Sequence, residues 1–259
     1  MRILIYQVDA FASRVFEGNP AAVCPLEEWL SDEVMQAIAA ENNLPETAFF
    51  VRHEEGYRIR WFTPEKEIDL CGHATLASAF VIFEYIQPSE HEVTFDSRSG
   101  LLNVSLSEGL IALDFPSQPP TPCSVPPELI AGLGKDPIEV LASEDYFVVY
   151  PSQEDILDLK PDLIELKKAG LRGVIVTAPG KEADFVSRFF APSYGIDEDP
   201  VTGSAHCALT PFWAAKLGKR KLHAYQLSRR GGELFCEDRG ERVIISGRTI
   251  LYMQGFITI

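Results

Sequence analysis

Two segments of this 259-residue chain constrain its fold more than any others. Residues 73–83 carry no charge, and residues 205–217 carry only Lys216. Each comes just after a glycine, the first directly after Gly72 and the second after Gly203-Ser204, and each has helical length. A helix that is apolar all round must be buried on all sides. Around these segments the chain is dominated by short β-branched and aromatic runs separated by polar or glycine turns, which read as strands. They fall at residues 3–6, 21–24, 47–51, 57–62, 93–95, 101–106 and 110–115, and again at 146–149, 173–177, 222–226, 232–236, 241–246 and 251–259. Many strands and two fully apolar helices are reconciled if a sheet curls around each helix. The expected class is therefore α+β: two pseudo-symmetric halves, each a curved, mostly antiparallel sheet wrapped around a central helix.

A repeated motif supports the two halves. Arg60-Trp61-Phe62-Thr63-Pro64 leads to Gly72-His73-Ala74, and Arg188-Phe189-Phe190-Ala191-Pro192, 128 positions later, leads to Gly203-Ser204-Ala205. An acidic loop joins the parts each time, residues 65–69 and 197–199. The proline-rich stretch 116–127 has no apolar periodicity and marks the boundary, giving halves at 1–116 and 117–248. Among amphipathic helices the clearest starts after Ser31, a candidate N-cap, with Asp32 and Glu33 suited to the positive end. Asn42-Asn43 and Pro45 end it. Further helices are expected near 127–133 and over 156–169.

Composition narrows the function. A net charge of −15 makes nucleic acid or an anionic membrane an unsuitable partner. Five scattered cysteines, none in a Cys-x-x-Cys pair, indicate neither a zinc ribbon nor a disulfide framework, but reduced cytosolic thiols. Residues 1–6 read as a first strand and not as a signal peptide, and residues 73–83 are too few to span a bilayer. A cytoplasmic protein is expected. There is no Gly-x-Gly-x-x-Gly after a strand, no Walker loop and no His-x-x-x-His.

The helix starts carry the chemistry. A helix N-terminus exposes unpaired N–H groups and a partial positive charge, and glycine admits a ligand close to the backbone. Gly72 and Gly203-Ser204 are thus candidate holders of a carboxylate, or of the anion left when a proton leaves an adjacent carbon. His73 stands in the first turn, where the positive end should lower its pKa and favour a neutral imidazole. A structural histidine is the competing reading. Glu46 enters the apolar strand 47–51, a setting that suits general acid–base work, with an exposed turn residue as the alternative. Asp199 is the acid of its loop nearest the second glycine. Cys71, beside Gly72, admits a thiol mechanism, but the matching position in the second repeat is Thr202.

Asp9-Ala10-Phe11, Gly18-Asn19-Pro20-Ala21-Ala22-Val23, Pro45-Glu46-Thr47-Ala48-Phe49, Leu70-Cys71-Gly72-His73-Ala74-Thr75, Asp199-Pro200-Val201-Thr202-Gly203-Ser204-Ala205 and Gln226-Leu227-Ser228-Arg229-Arg230-Gly231-Gly232 together resemble the phenazine biosynthesis PhzF-like proteins. The resemblance runs from residue 3 nearly to the end. It implies the diaminopimelate epimerase fold, a homodimer, and a last strand, 249–259, returning to the first half. It also implies a cofactor-independent isomerase that shifts a proton within a cyclic, carboxylate-bearing substrate, with no metal. Glu46 then resembles the proton-shuttling acid/base. His73, Asp199 and Ser204 resemble residues that surround and orient the substrate, and N–H groups near Gly72 and Gly203 would hold its carboxylate. Two other functions stay open: a racemase or epimerase using Cys71, and a non-catalytic protein that binds a small molecule.

Overall fold

A computed structural model describes all residues, 1–259. The chain forms two compact units, Met1–Asp114 with Ser246–Ile259, and Phe115–Ile245. In the first unit β1 (Arg2–Ala10) and β2 (Asn19–Leu26) are antiparallel. Helix α1 (Asp32–Asn42) crosses to β3 (Glu46–His53), parallel to β2 with Ala21 opposite Glu46. β4 (Gly56–Phe62) returns antiparallel to β3, and the two-residue β5 (Glu67–Ile68) folds against its end. Helix α2 (Gly72–Val81) then crosses to β6 (Glu92–Ser97), parallel to β4. β7 (Gly100–Ser107) and β8 (Leu110–Pro116) complete an antiparallel meander.

The second unit repeats that order. After the short β9 (Thr121–Pro122) and α3 (Pro127–Leu133) come β10 (Glu139–Ala142) and β11 (Tyr146–Val149), antiparallel. Helices α4 (Gln153–Asp158) and α5 (Leu163–Lys167) cross to β12 (Val174–Pro179), parallel to β11. β13 (Phe185–Phe190) is antiparallel to β12, and α6 (Gly203–Leu217) crosses to β14 (Lys221–Gln226), parallel to β13. β15 (Gly232–Asp238) and β16 (Arg242–Gly247) follow. The last strand, β17 (Thr249–Thr258), lies in the first unit and pairs antiparallel along all of β1. In both units, then, two strands, a crossover, two strands and a glycine-led helix lead into a meander. The α+β class read from the sequence is the observed one.

Local chemistry accounts for the elements. Ser31 caps α1 through its hydroxyl, which accepts from Val34 N–H, and Asn43 ends it in a left-handed conformation (φ 50°). The single helix predicted over 156–169 is instead α4 and α5. Pro161 lacks an N–H and disfavours helical geometry at the residue before it, while Asp162 caps a new helix by accepting from Ile164 and Glu165. Within the proline-rich stretch, β9 pairs with β10 and Pro127 occupies the first turn of α3.

Both faces of β3 are buried through its first six residues. Met35, Ile38 and Ala39 of α1 pack with Ile5, Cys24 and Phe49 on one face. Side chains alternate along a strand, so Glu46, Ala48 and Phe50 point to the other, where α2 lies against β1, β2, β3 and β17. Every α2 residue from His73 to Ala79 is buried. Its hydroxyls are paired internally, Thr75 with the Cys71 carbonyl at 2.6 Å and Ser78 with the Ala74 carbonyl at 2.7 Å. In the second unit α6 is enclosed the same way. Phe212 meets Phe147 of β11, Trp213 stacks on Phe185 of β13, and the Trp213 indole N–H donates to Thr177 of β12 at 2.9 Å. No helix is long and apolar enough to cross a membrane.

One glycine fixes the entry to β2. Gly18 has φ +67°, and a Cβ there would sit 2.1 Å from the Ala10 carbonyl oxygen. Gly18→Ala is expected to cost about 2 kcal/mol or more, because backbone strain and a backbone collision add. A lowered urea midpoint at unchanged m-value checks it.

Candidate functional site

The repeated arginine is a clamp that sets each glycine-led helix. Arg60, on β4, grips Glu67 of its acidic loop through two bonds of 2.7 Å and reaches Asp32 at the start of α1 at 2.8 Å. Arg188, on β13, grips Glu198 with bonds of 2.7 and 3.1 Å and donates to the Ile156 and Leu159 carbonyls at the end of α4, both at 3.0 Å. In each unit one guanidinium ties the loop before the buried helix to the helix of the preceding crossover. The bidentate fork fixes orientation as well as distance.

At the start of α2 the structure brings Glu46 and His73 together. Glu46 Oε2 lies 3.0 Å from His73 Nε2, and both residues are 7% exposed. The contact is close but poorly aligned: neither atom completes a hydrogen bond of good geometry, so both keep capacity for a further partner. The other ring nitrogen, Nδ1, faces Asn19 Nδ2 at 3.3 Å and Cys71 Sγ at 3.6 Å. Cys71 is the N-cap of α2, and no side chain caps the first N–H groups of Gly72 and its neighbours.

The sign of the His73 shift is opposite to the one expected from the helix end. Burial does push the imidazolium down, but Cys71 and Glu46 beside it more than reverse this and hold His73 well above its usual value. A carboxylate at 3.0 Å in a dry site outweighs a helix end carrying half a charge. Burial first, and then the Glu46 charge, raises the Cys71 thiol.

These three residues offer a sulfur, a nitrogen and an oxygen within 4.8 Å of one another. The thiol sits at Nδ1 and the carboxylate at Nε2. They form a chain of proton-bearing groups around one ring more than a cup for an ion.

In the second unit the predicted residues gather at the start of α6, held by different partners. Thr202, its N-cap, donates from its hydroxyl to Asp199, and its N–H donates to Gln226 at 2.9 Å. Gln226 in turn donates to the Asp199 carbonyl at 2.9 Å. The Ser204 hydroxyl accepts from Arg172 at 3.3 Å, and Arg172 is oriented by Asp145, which is 2% exposed. Gly203 is buried and its helix start, like that of α2, has no side-chain cap.

His206 is fully buried and donates from Nδ1 to the Thr202 carbonyl at 2.8 Å, a structural arrangement. Burial lowers its pKa to about 4. Between about 6.5 and 4 the unfolded chain binds a proton that the folded chain refuses. Stability should therefore fall on acidification across that window, by on the order of 3 kcal/mol from this residue alone. His206→Gln should flatten that part of a plot of urea midpoint against pH.

Sequence reasoning assigned no role to Asn19, Gln226, Arg172 or Asp145. The first two stand in motifs quoted above, so a signal was present. Nothing near Arg172 or Asp145 marks them, because only the parallel pairing of β11 with β12 brings their segments together.

Comparison with known proteins agrees with this architecture. A family model described as phenazine biosynthesis-like protein, PhzC-PhzF, matches residues 8–255. An uncharacterized isomerase of Pseudomonas aeruginosa is 52% identical over 255 residues, 98% of each chain. A PhzF-family crystal structure from Enterococcus faecalis superposes with a TM-score of 0.98 at 50% identity, covering 100% of both chains. A hydroxyproline epimerase from Agrobacterium vitis shares the fold, with a TM-score of 0.65 at 10% identity over 99% of this chain and 92% of the other.

Proposed function

Because this chain belongs to the phenazine biosynthesis-like PhzC-PhzF family, we propose that it is a cofactor-independent isomerase, moving a proton within a small carboxylate-bearing substrate. The observation that carries this reading is Glu46 Oε2 at 3.0 Å from His73 Nε2, both buried beside the uncapped start of α2. A proton on carbon next to a carboxylate or a conjugated system leaves only if the resulting anion is stabilised as it forms. Glu46 takes the proton and returns it at another carbon. The N–H groups at Gly72 hold the delocalised charge, and His73 beside Glu46 helps to orient the substrate. Asp199, Ser204 and the N–H groups at Gly203 serve in orienting the substrate and its carboxylate. Neither a metal nor an organic cofactor has a part in this scheme. The protein works in the cytoplasm as a homodimer.

Cysteine catalysis fits the residues less well. Cys71 is buried with a raised pKa, and the N-cap of α6, its counterpart, is Thr202. Two-base chemistry of the epimerase kind needs a thiol on each side of the carbon. Iodoacetamide is therefore expected to spare activity. The primary test is proton NMR in heavy water with a panel of small cyclic and amino carboxylates. Deuterium uptake or a double-bond shift supports the reading. A panel member that binds without any exchange, in the wild type and at all pH values, would sink it in favour of a binding protein.

A further inference from the structure

The two nitrogens of the His73 ring face different groups. Nε2 faces Glu46, while Nδ1 faces the Asn19 amide nitrogen at 3.3 Å and the Cys71 sulfur at 3.6 Å. An amide NH₂ can only donate, so Nδ1 must offer it a lone pair. A neutral ring then carries its one proton on Nε2, pointing at the Glu46 carboxylate. The Cys71 S–H, a weak donor, favours the same arrangement.

Asn19 is held for this task by the backbone. It is fully buried and is the first residue of β2, paired with Ala10. Gly18 before it takes a conformation that a side chain would obstruct, and Pro20 follows it. With so little freedom in the main chain, the orientation of the amide group is what distinguishes one ring state from another. Turned over, the same amide would present its oxygen and call for a proton on Nδ1 instead. A charged ring requires that turn, or a bond from Nδ1 to the Cys71 sulfur.

We propose that Asn19 is a positioning residue for the Glu46–His73 pair: when the ring is neutral, its amide keeps the imidazole proton on Nε2 and leaves Glu46 as the group that accepts the substrate's proton. The Nε2 proton then points toward one carboxylate oxygen, Oε2, and the other is the base. The catalytic part rests on the proton-transfer reading above. The tautomer is a property of the ring whatever the reaction.

The test uses the full chain labelled with ¹⁵N-histidine, with the His73 resonances identified by their loss in His73→Gln. In the wild type, the neutral form of His73 is expected to show a protonated Nε2 and a bare Nδ1. Asn19→Asp keeps the shape but can only accept. It should move the proton to Nδ1 and carry the ring's titration upward by about one pH unit or more. Asn19→Ser, which removes the amide, should leave a mixture of tautomers and guards against a folding defect in the first variant. Cys71→Ala should leave the tautomer as in the wild type while lowering the ring's titration. In the exchange assay, Asn19→Asp is expected to lower kcat roughly 10- to 100-fold, with KM held within about twofold.

An unchanged tautomer and titration in both Asn19 variants overturns the proposal, as does a change of tautomer produced by Cys71→Ala alone. If the ring responds as expected while Glu46→Gln leaves exchange intact, Asn19 still governs the tautomer and the proton-transfer reading fails separately.

Discussion

Glu46→Gln is expected to lower substrate proton exchange by roughly 10²- to 10⁴-fold, the range contributed by a positioned general acid–base. The substitution preserves side-chain volume, and the amide oxygen can still accept from His73 Nε2. Folding and substrate binding should therefore be little affected. The loss should appear in kcat with KM nearly unchanged, the pattern of an interaction made only in the transition state. Because Glu46 is 7% exposed and faces α2, no other carboxylate of its strand can replace it. A Glu46→Gln enzyme that exchanges at the wild-type rate would remove Glu46 from the chemistry. Iodoacetamide treatment of that variant would then show whether Cys71 carries the proton.

The largest stability effect should come from Arg188→Met. The Arg188 side chain is 13% exposed and its partner Glu198 25%. Removing the guanidinium leaves a carboxylate and two carbonyl groups, Ile156 and Leu159, without their donor. Breaking such a pair costs about 3 kcal/mol, since the charge left behind is already stripped of much of its water. Arg188→Lys should recover only part of this, because a single ammonium cannot reproduce a fork that grips one carboxylate and reaches two carbonyls. Lys168→Met is the matching control. That lysine is 55% exposed in its pair with Glu165, and its loss should leave the urea midpoint close to that of the wild type. Equal effects at the two positions, read from urea unfolding, would mean that Arg188 is no clamp.

Much of the fold was legible because it rests on patterns that burial alone dictates. A helix apolar on every side has no surface to show water, so α2 and α6 had to be enclosed, and strands were the available material. The motif around Arg60 recurring around Arg188 reported the internal repeat, and the structure explains it: the same side chain does the same mechanical job in each unit. Helix ends were legible where the signal is local, as at Ser31. The division of 156–169 into α4 and α5 turns on Pro161, a single residue inside an apolar pattern that by itself reads as one helix. The sign of the His73 shift has a different origin. Its sequence neighbours supply a helix end and Cys71, whereas the carboxylate that joins Cys71 in raising it is 27 positions away on Glu46.

The sequence by itself determined the class of fold, the two buried helices and the residue types at their starts, because hydrophobic burial, glycine geometry and capping act over a few residues. Tertiary structure decided which of those residues act on one another. Period-two alternation could place Glu46 with Ala48 and Phe50, but could not say which face of β3 would receive α2. The parallel register of β2 with β3, setting Ala21 opposite Glu46, and the packing of α1 on the other face settle that. The same packing brings Asn19, Cys71 and Glu46 around one imidazole. Their chemistry depends on separations of 3.0 to 3.6 Å, set by contacts between segments far apart in the chain, and no local pattern encodes such distances.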